Sequence, residues 1–283
     1  MILKTALLMT FLLFPMKPLA ETKSNDVNKS KLLTLGETGR ICEKGTAYFK
    51  LGLNWWLPTL NLAYAPFKKW EFDLFMMGIP TFHAEDVDTI DAGFNIFRLG
   101  FKRPWLSKKK FLYSDDYTLS WGLKLHRFKF LFVKNDTTHV DKNSYFLIPF
   151  LAQSYHKGRF IYHLYFSLPL GGEDYTAFGG NPRDKQATLV FISGFEYDAS
   201  KHVKYIMEYW FTNLGGFIDL NIEGLESFAA NYNPEAKWLS YVFLGTRLSF
   251  RKRFYCELGI SSYYIPQPPP VTGVVLNFGW YFR

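Results

Sequence analysis

Residues 274–283 read VVLNFGWYFR, with Val274, Leu276, Phe278, Trp280 and Phe282 at every second position. Val275, Asn277, Gly279 and Tyr281 lie between them. Successive side chains of a strand point to opposite faces, so this is a strand with one apolar, aromatic face. A sheet in water must cover such a row, whereas a strand against lipid leaves it outward. The row is therefore predicted to contact hydrocarbon. The same alternation recurs along the chain. Phe49, Leu51, Leu53, Trp55 and Leu57 are in phase, as are Trp70, Phe72, Leu74 and Met76. Tyr117, Leu119, Trp121, Leu123 and Leu125 alternate with Thr118, Ser120, Gly122 and Lys124. Phe160–Leu168, Leu189–Tyr197, Val203–Phe211, Trp238–Phe250 and Phe254–Tyr264 follow the same rule.

Segments of about ten residues, separated by turns, are the length a tilted strand needs to cross a bilayer. The connections His156–Arg159, Asp198–His202 and Arg251–Arg253 are short, while Pro169–Gln186, Leu214–Lys237 and Pro266–Thr272 are long. That alternation fits short periplasmic turns and long extracellular loops. The predicted fold is all-β: a transmembrane antiparallel up-and-down β-barrel of about twelve strands, with ten or fourteen as the neighbouring counts. The first third is ambiguous. Pro66–Lys69 reads as a periplasmic turn only if the segment Thr46–Leu57 is split in two near Pro58.

The terminal strand resembles the closing strand of bacterial outer-membrane β-barrels, with the departure that Arg283 follows the last aromatic. That resemblance implies outer-membrane lipid as surroundings and recognition of the C-terminal strand by the barrel-assembly machinery. Lys68-Lys69 followed by Trp70-Glu71-Phe72-Asp73-Leu74-Phe75 resembles an early strand of the nucleoside-channel family of twelve-stranded barrels. The likeness is confined to that stretch, and no binding residue is carried over from it. The opposite end agrees with export. Lys4, the apolar run Thr5–Phe14 and the exit Pro18-Leu19-Ala20 read as a signal peptide over residues 1–20. Residues 21–44 are expected to form a periplasmic leader, with Glu21–Lys31 polar apart from Val27, and residues 45–283 the barrel.

Aromatics make up 19% of the chain, with 29 Phe, 18 Tyr and 8 Trp, an excess suited to interfacial girdles. The net charge of +8 is spread over turns and alternates with acids. It is read as solubility or contact with anionic headgroups or an anionic solute, rather than nucleic acid. Cys42 and Cys256 would both lie near the periplasmic rim. A disulfide is conceivable there, but Cys256 falls on the apolar phase of its strand and reads better as a lone lipid-facing thiol.

Hairpin geometry predicts what points inward. If Asp198–His202 is a turn, Tyr197 faces Val203, Glu196 faces Lys204 and Ile192 faces Glu208. If Arg251–Arg253 is a turn, Phe250 faces Phe254 and Arg247 faces Glu257. Facing residues share one side of the sheet, so opposite charges meet on the face away from lipid. Lys50, Lys124, His163, Glu196, Lys204, Glu208, Arg247 and Glu257 are the predicted lumen residues. They either satisfy one another in a filled interior or line a pore and set its charge preference.

No catalytic constellation is recognisable. None of the six His has a Ser two residues on, as a barrel phospholipase or deacylase would need, and no Asp-x-His accompanies Asp86-Val87-Asp88 as in omptin-type proteases. His163 could meet Glu196 or Glu208 across the lumen. The Gly-rich runs Leu170–Glu173 and Phe178–Asn181 read as turns, and Asp86, Asp88 and Asp91 lack the rest of a calcium loop. Phe217, Phe228, Tyr232, Trp238 and the Gln267–Pro270 tip could contact sugars or partners, or fold as a plug. No cofactor and no metal is expected. The expected function is a passive channel for small solutes. The alternatives are a closed barrel with a structural, adhesive or assembly role, and a lipid-active hydrolase.

Overall fold

The computed structural model describes residues 38–54, 57–84, 90–111, 113–134, 137–170, 189–212, 239–250, 253–264 and 271–282. The predicted signal peptide, most of the predicted leader, Asp86, Asp88, the Gly-rich runs beyond Leu170, the long-loop aromatics and the Gln267–Pro270 tip lie outside these residues. Twelve strands form the wall: β1 (Ala47–Asn54), β2 (Leu57–Tyr64), β3 (Glu71–Ala84), β4 (Ile90–Phe111), β5 (Ser114–Lys134), β6 (Thr137–Lys157), β7 (Phe160–Ser167), β8 (Val190–Asp198), β9 (Val203–Thr212), β10 (Leu239–Phe250), β11 (Phe254–Tyr264) and β12 (Val271–Phe282). Each pairs antiparallel with its chain neighbours, and β1 closes on β12 from Ala47↔Phe282 to Asn54↔Val275. Closure leaves no sheet edge around the wall, which is what allows strands to cross hydrocarbon.

Burial is inverted relative to a water-soluble barrel. Leu51 and Leu53 are 47% and 44% exposed, whereas Lys50 and Asn54 are each 4% exposed. In β12, Val274 and Phe282 are exposed, and Leu276, Phe278 and Trp280 are half-buried on the same face. Val275 and Asn277 are buried on the other. The outer face carries a ring of aromatics near the short-turn end, where Phe49 and Phe254 pack on Trp280, and Trp70 and Trp121 pack on Phe101.

In the ambiguous first third, the stretch ahead of Pro66 forms two strands. β1 ends at Asn54 and β2 starts at Leu57, so Pro58 falls inside β2 opposite Leu53, and Pro66–Lys69 joins β2 to β3 at the rim that holds Ala47 and Phe282. Lys69 has φ 70° in that turn, and Gly158 has φ 57° between β6 and β7, where a residue without a Cβ enters the left-handed region at least cost.

One predicted register needs correction. Asp198 pairs with Lys204, Glu196 with Ile206 and Gly194 with Glu208, a shift of two residues from the expected β8–β9 pairing. Ser200 explains it: its N–H bonds the Val203 carbonyl and its hydroxyl accepts the N–H of His202 and Val203, so the turn is tighter and Asp198 joins the strand. A shift of two leaves every side chain on its predicted face. The β10–β11 hairpin pairs Phe250 with Phe254 and Arg247 with Glu257, as expected.

Candidate functional site

The site is the barrel interior, and it is full. His163, Glu196, Lys204, Glu208 and Glu257 are each 0% exposed, Arg247 is 1%, Lys124 3% and Lys50 4%. All eight predicted lumen residues therefore sit on the inner face, shut away from solvent. Burying a charge is costly unless it is paired, and the pairs are present. Arg247 grips Glu257, with Nε 2.6 Å from Oε1, and Asn277 donates to the other carboxylate oxygen at 3.0 Å. Lys204 bonds Glu196 diagonally across the β8–β9 pair and lies 3.4 Å from Asp198. The diagonal contact is what the two-residue register shift leaves within reach of a long side chain.

Two further pairs were not anticipated. Lys102 Nζ lies 2.9 Å from Glu71 Oε1, and Arg98 Nε lies 3.0 Å from Asp73 Oδ2. The signal was present in the phase of Glu71 and Asp73, which alternate with Trp70, Phe72 and Leu74, and of Arg98 and Lys102, which alternate with Phe97, Leu99 and Phe101. Lys124 takes a different environment: its ammonium lies 4.7 Å from the Phe150 ring and 5.1 Å from the Tyr165 ring. Glu208 accepts from Trp210 Nε1 at 3.4 Å.

Aromatics fill the space between the charges. Tyr48 and Tyr255 stack and bond through their hydroxyls, and Tyr281 packs on both. Arg247 lies 4.7 Å over the Tyr255 ring. The Tyr255 ring rests on Gly279, where any Cβ would overlap it, so the neighbouring strand must carry glycine at that level. Phe243 is seated in the same way over Gly245 and Gly259. Phe150, Ala152, Tyr165 and Ile192 form one buried apolar cluster, and Ile206, Tyr241, Phe243 and Val275 another.

The chain ahead of β1 enters this interior. Thr38 is 0% exposed and Cys42 3%. Gly39 lies against β5 and β6: its N–H donates to Ser154 Oγ at 2.9 Å and its carbonyl accepts from the Ser120 hydroxyl. A side chain at Gly39 would overlap the backbone of Thr118 and Ser154. Cys42 N–H donates to the Glu71 carboxylate, and its side chain joins Tyr48, Ala63, Ala65 and Tyr255. Residues 38–42 thus cross the short-turn end from β5–β6 to β2–β3 inside the wall. Both cysteines are free thiols. Cys42 is inside the wall and Cys256 takes the outward phase of β11, so the wall itself separates them.

One array has the residue types of a hydrolytic relay. Ser154 Oγ lies 2.7 Å from His163 Nδ1, and His163 Nε2 lies 3.5 Å from Glu196 Oε1. Ser154 Oγ accepts the Gly39 N–H and shares a hydrogen bond with His163 Nδ1 whose direction follows the imidazole tautomer. The serine is thus held by a backbone amide, Glu196 is already bound by Lys204, and all three side chains are sealed from solvent. Among the described residues, no group of three or more His, Cys, Asp or Glu is placed to hold a metal ion.

An apolar, aromatic exterior around a charged, paired interior in a closed antiparallel wall defines a bacterial outer-membrane β-barrel. No protein-family model matches the chain, and no curated protein matches its sequence. Among solved structures, CdiB from Escherichia coli is similar at 9% identity and TM-score 0.47, over 86% of this chain and 64% of that one. A FadL homologue from Pseudomonas aeruginosa is similar at 8% identity and TM-score 0.42, over 84% and 87%. The translocator domain of the autotransporter NalP from Neisseria meningitidis is similar at 12% identity and TM-score 0.39, over 84% and 86%. The chain spans less than two thirds of the length of CdiB. All three lie below the level of similarity at which a ligand or partner transfers.

Proposed function

We propose that this protein is a passive outer-membrane channel for small solutes, held closed by residues 38–42 and opened when that segment leaves the lumen. The supporting observation is that Gly39 and Cys42 are bonded across the short-turn end, onto Ser154, Ser120 and Glu71. The character of the interior supports conduction in the open state. Buried ion pairs add little stability over apolar packing of the same volume, so stability alone does not call for this many of them. A lumen that admits water does, because its wall must be wettable and charge-selective. The export signal, the periplasmic placement of the short turns, the surrounding outer-membrane lipid and delivery by the barrel-assembly machinery belong to the same proposal.

Planar-bilayer recording tests it. The full chain is expected to give rare conductance steps, and a variant lacking residues 21–42 frequent ones. If the shortened variant folds, shown by heat-modifiable migration on gels, and still gives no steps, the channel reading fails. The closed-barrel alternative, with a structural or adhesive role, then stands, and the aromatic and apolar side chains that fill the interior between the charges are what favour it. The lipid-active hydrolase is the weaker reading, because Ser154, His163 and Glu196 are sealed from both lipid and water.

A further inference from the structure

The short-turn rim is not level. β4 pairs with β3 only as far as Glu71↔Lys102, yet continues paired to β5 down to Phe111↔Ser114. The β4–β5 hairpin therefore stands beyond the rim, and residues 103–111 of β4 form a strand edge with no paired strand on the β3 side among the described residues. Its sequence, Arg103-Pro-Trp-Leu-Ser-Lys-Lys-Lys-Phe111, is basic and aromatic. Trp105 is 71% exposed and Tyr113 89% exposed, and Arg103, Lys108, Lys109 and Lys110 are exposed with them. Edge protection accounts for part of this. Pro104, the irregularity between Pro104 and Leu106, and the lysines all discourage pairing with another chain. It does not account for a bare Trp and a bare Tyr, which add apolar surface to an edge that protection would keep polar.

Depth resolves the combination. Trp105 lies three residues past Lys102, a step beyond the outer aromatics Trp70 and Phe101, and Arg103 lies 5.2 Å over the Trp70 ring. The lysines follow three to five residues later, roughly 10 Å further along the membrane normal for a strand tilted about 40°. Trp and Tyr settle at the interface, and flexible Lys stems carry their charge into the headgroup layer. Asp115 is the one exposed acid of the turn, and it is engaged by the Gly158 N–H at 2.8 Å. Asp116 is half-buried opposite Lys109.

We infer that the β4–β5 hairpin is a binding surface for anionic phospholipid headgroups in the leaflet at the short-turn end, with Trp105 as the anchor and Lys108, Lys109 and Lys110 as phosphate contacts. This stands whether or not the barrel conducts. The full chain is reconstituted in phosphatidylcholine vesicles, and the immobilised fraction of spin-labelled phosphatidylglycerol is compared with that of spin-labelled phosphatidylcholine. Wild type is expected to hold phosphatidylglycerol several-fold more strongly at low salt, with the preference falling as salt rises. Replacing all three lysines (K108Q, K109Q, K110Q) removes most of the preference, and the corresponding Lys→Arg variant keeps it. All three positions are exposed, so folding is not at risk. Equal binding of the two lipids by wild type, or an unchanged preference in the Gln variant, overturns the assignment. Sedimentation with peptidoglycan sacculi in place of a lipid preference overturns it as well.

Discussion

Removing the Glu257 carboxylate asks whether the interior is dry. Glu257 is 0% exposed and Arg247 1%, and Arg247 holds the carboxylate through Nε and a second guanidinium nitrogen while Asn277 donates to its other oxygen. Glu257→Leu would leave the Arg247 charge buried without its counter-ion. In a water-free interior that costs about 3–5 kcal/mol, whereas an equivalent pair in an aqueous lumen is worth only about 0–1 kcal/mol. Replacing both partners, Arg247→Met with Glu257→Leu, returns to within about 1 kcal/mol of wild type or exceeds it if the site is dry. Reversible urea unfolding in detergent micelles, followed by tryptophan fluorescence, supplies all four corners of the cycle. A coupling below about 1 kcal/mol would mean the pair is hydrated, and the packed-lumen argument would fall with it.

Glu196→Lys should abolish heat-modifiable folding. Lys204→Glu alongside it should restore only part, because the carboxylate introduced at that position would then stand beside Asp198. Full rescue would show that Asp198 is not the register partner of Lys204. Gly279→Leu should destabilise the barrel by about 1–3 kcal/mol through overlap with the Tyr255 ring, and Tyr255→Ala should relieve it; urea midpoints give both values. His163→Ala should leave ester and phospholipid turnover at background, as in wild type. A wild-type hydrolysis rate lost in that variant would promote the Ser154–His163–Glu196 array from structural to catalytic.

Legibility in the sequence followed strand parity. The period of two is a local property, so Val274, Leu276, Phe278, Trp280 and Phe282 announced an outward face, and Lys50, Lys124, Arg247 and Glu257 an inward one, without any knowledge of partners. Parity also survived the register error at β8–β9, because a slip of two residues leaves faces unchanged. The exact pairing did not survive. It depended on Ser200 tightening a turn by hydrogen bonds that no periodicity encodes. Glu71, Asp73, Arg98 and Lys102 obeyed the same parity as the residues that were read correctly. They went unread because their hairpin, with its long upper arms, gave no short turn from which to count.

The amino-acid order by itself determined that this chain forms amphipathic strands with an apolar exterior, since each residue's side of a strand is set by its neighbours. Tertiary structure alone decided that the interior is filled. Whether residues 38–42 enter the barrel depends on Ser120, Ser154 and Glu71, which lie on three separate strands and meet only when the wall closes. The same closure put Arg247 over Tyr255 and left the β4–β5 hairpin standing past its neighbour. These are consequences of strand register summed around a ring, and no local stretch of sequence carries that sum.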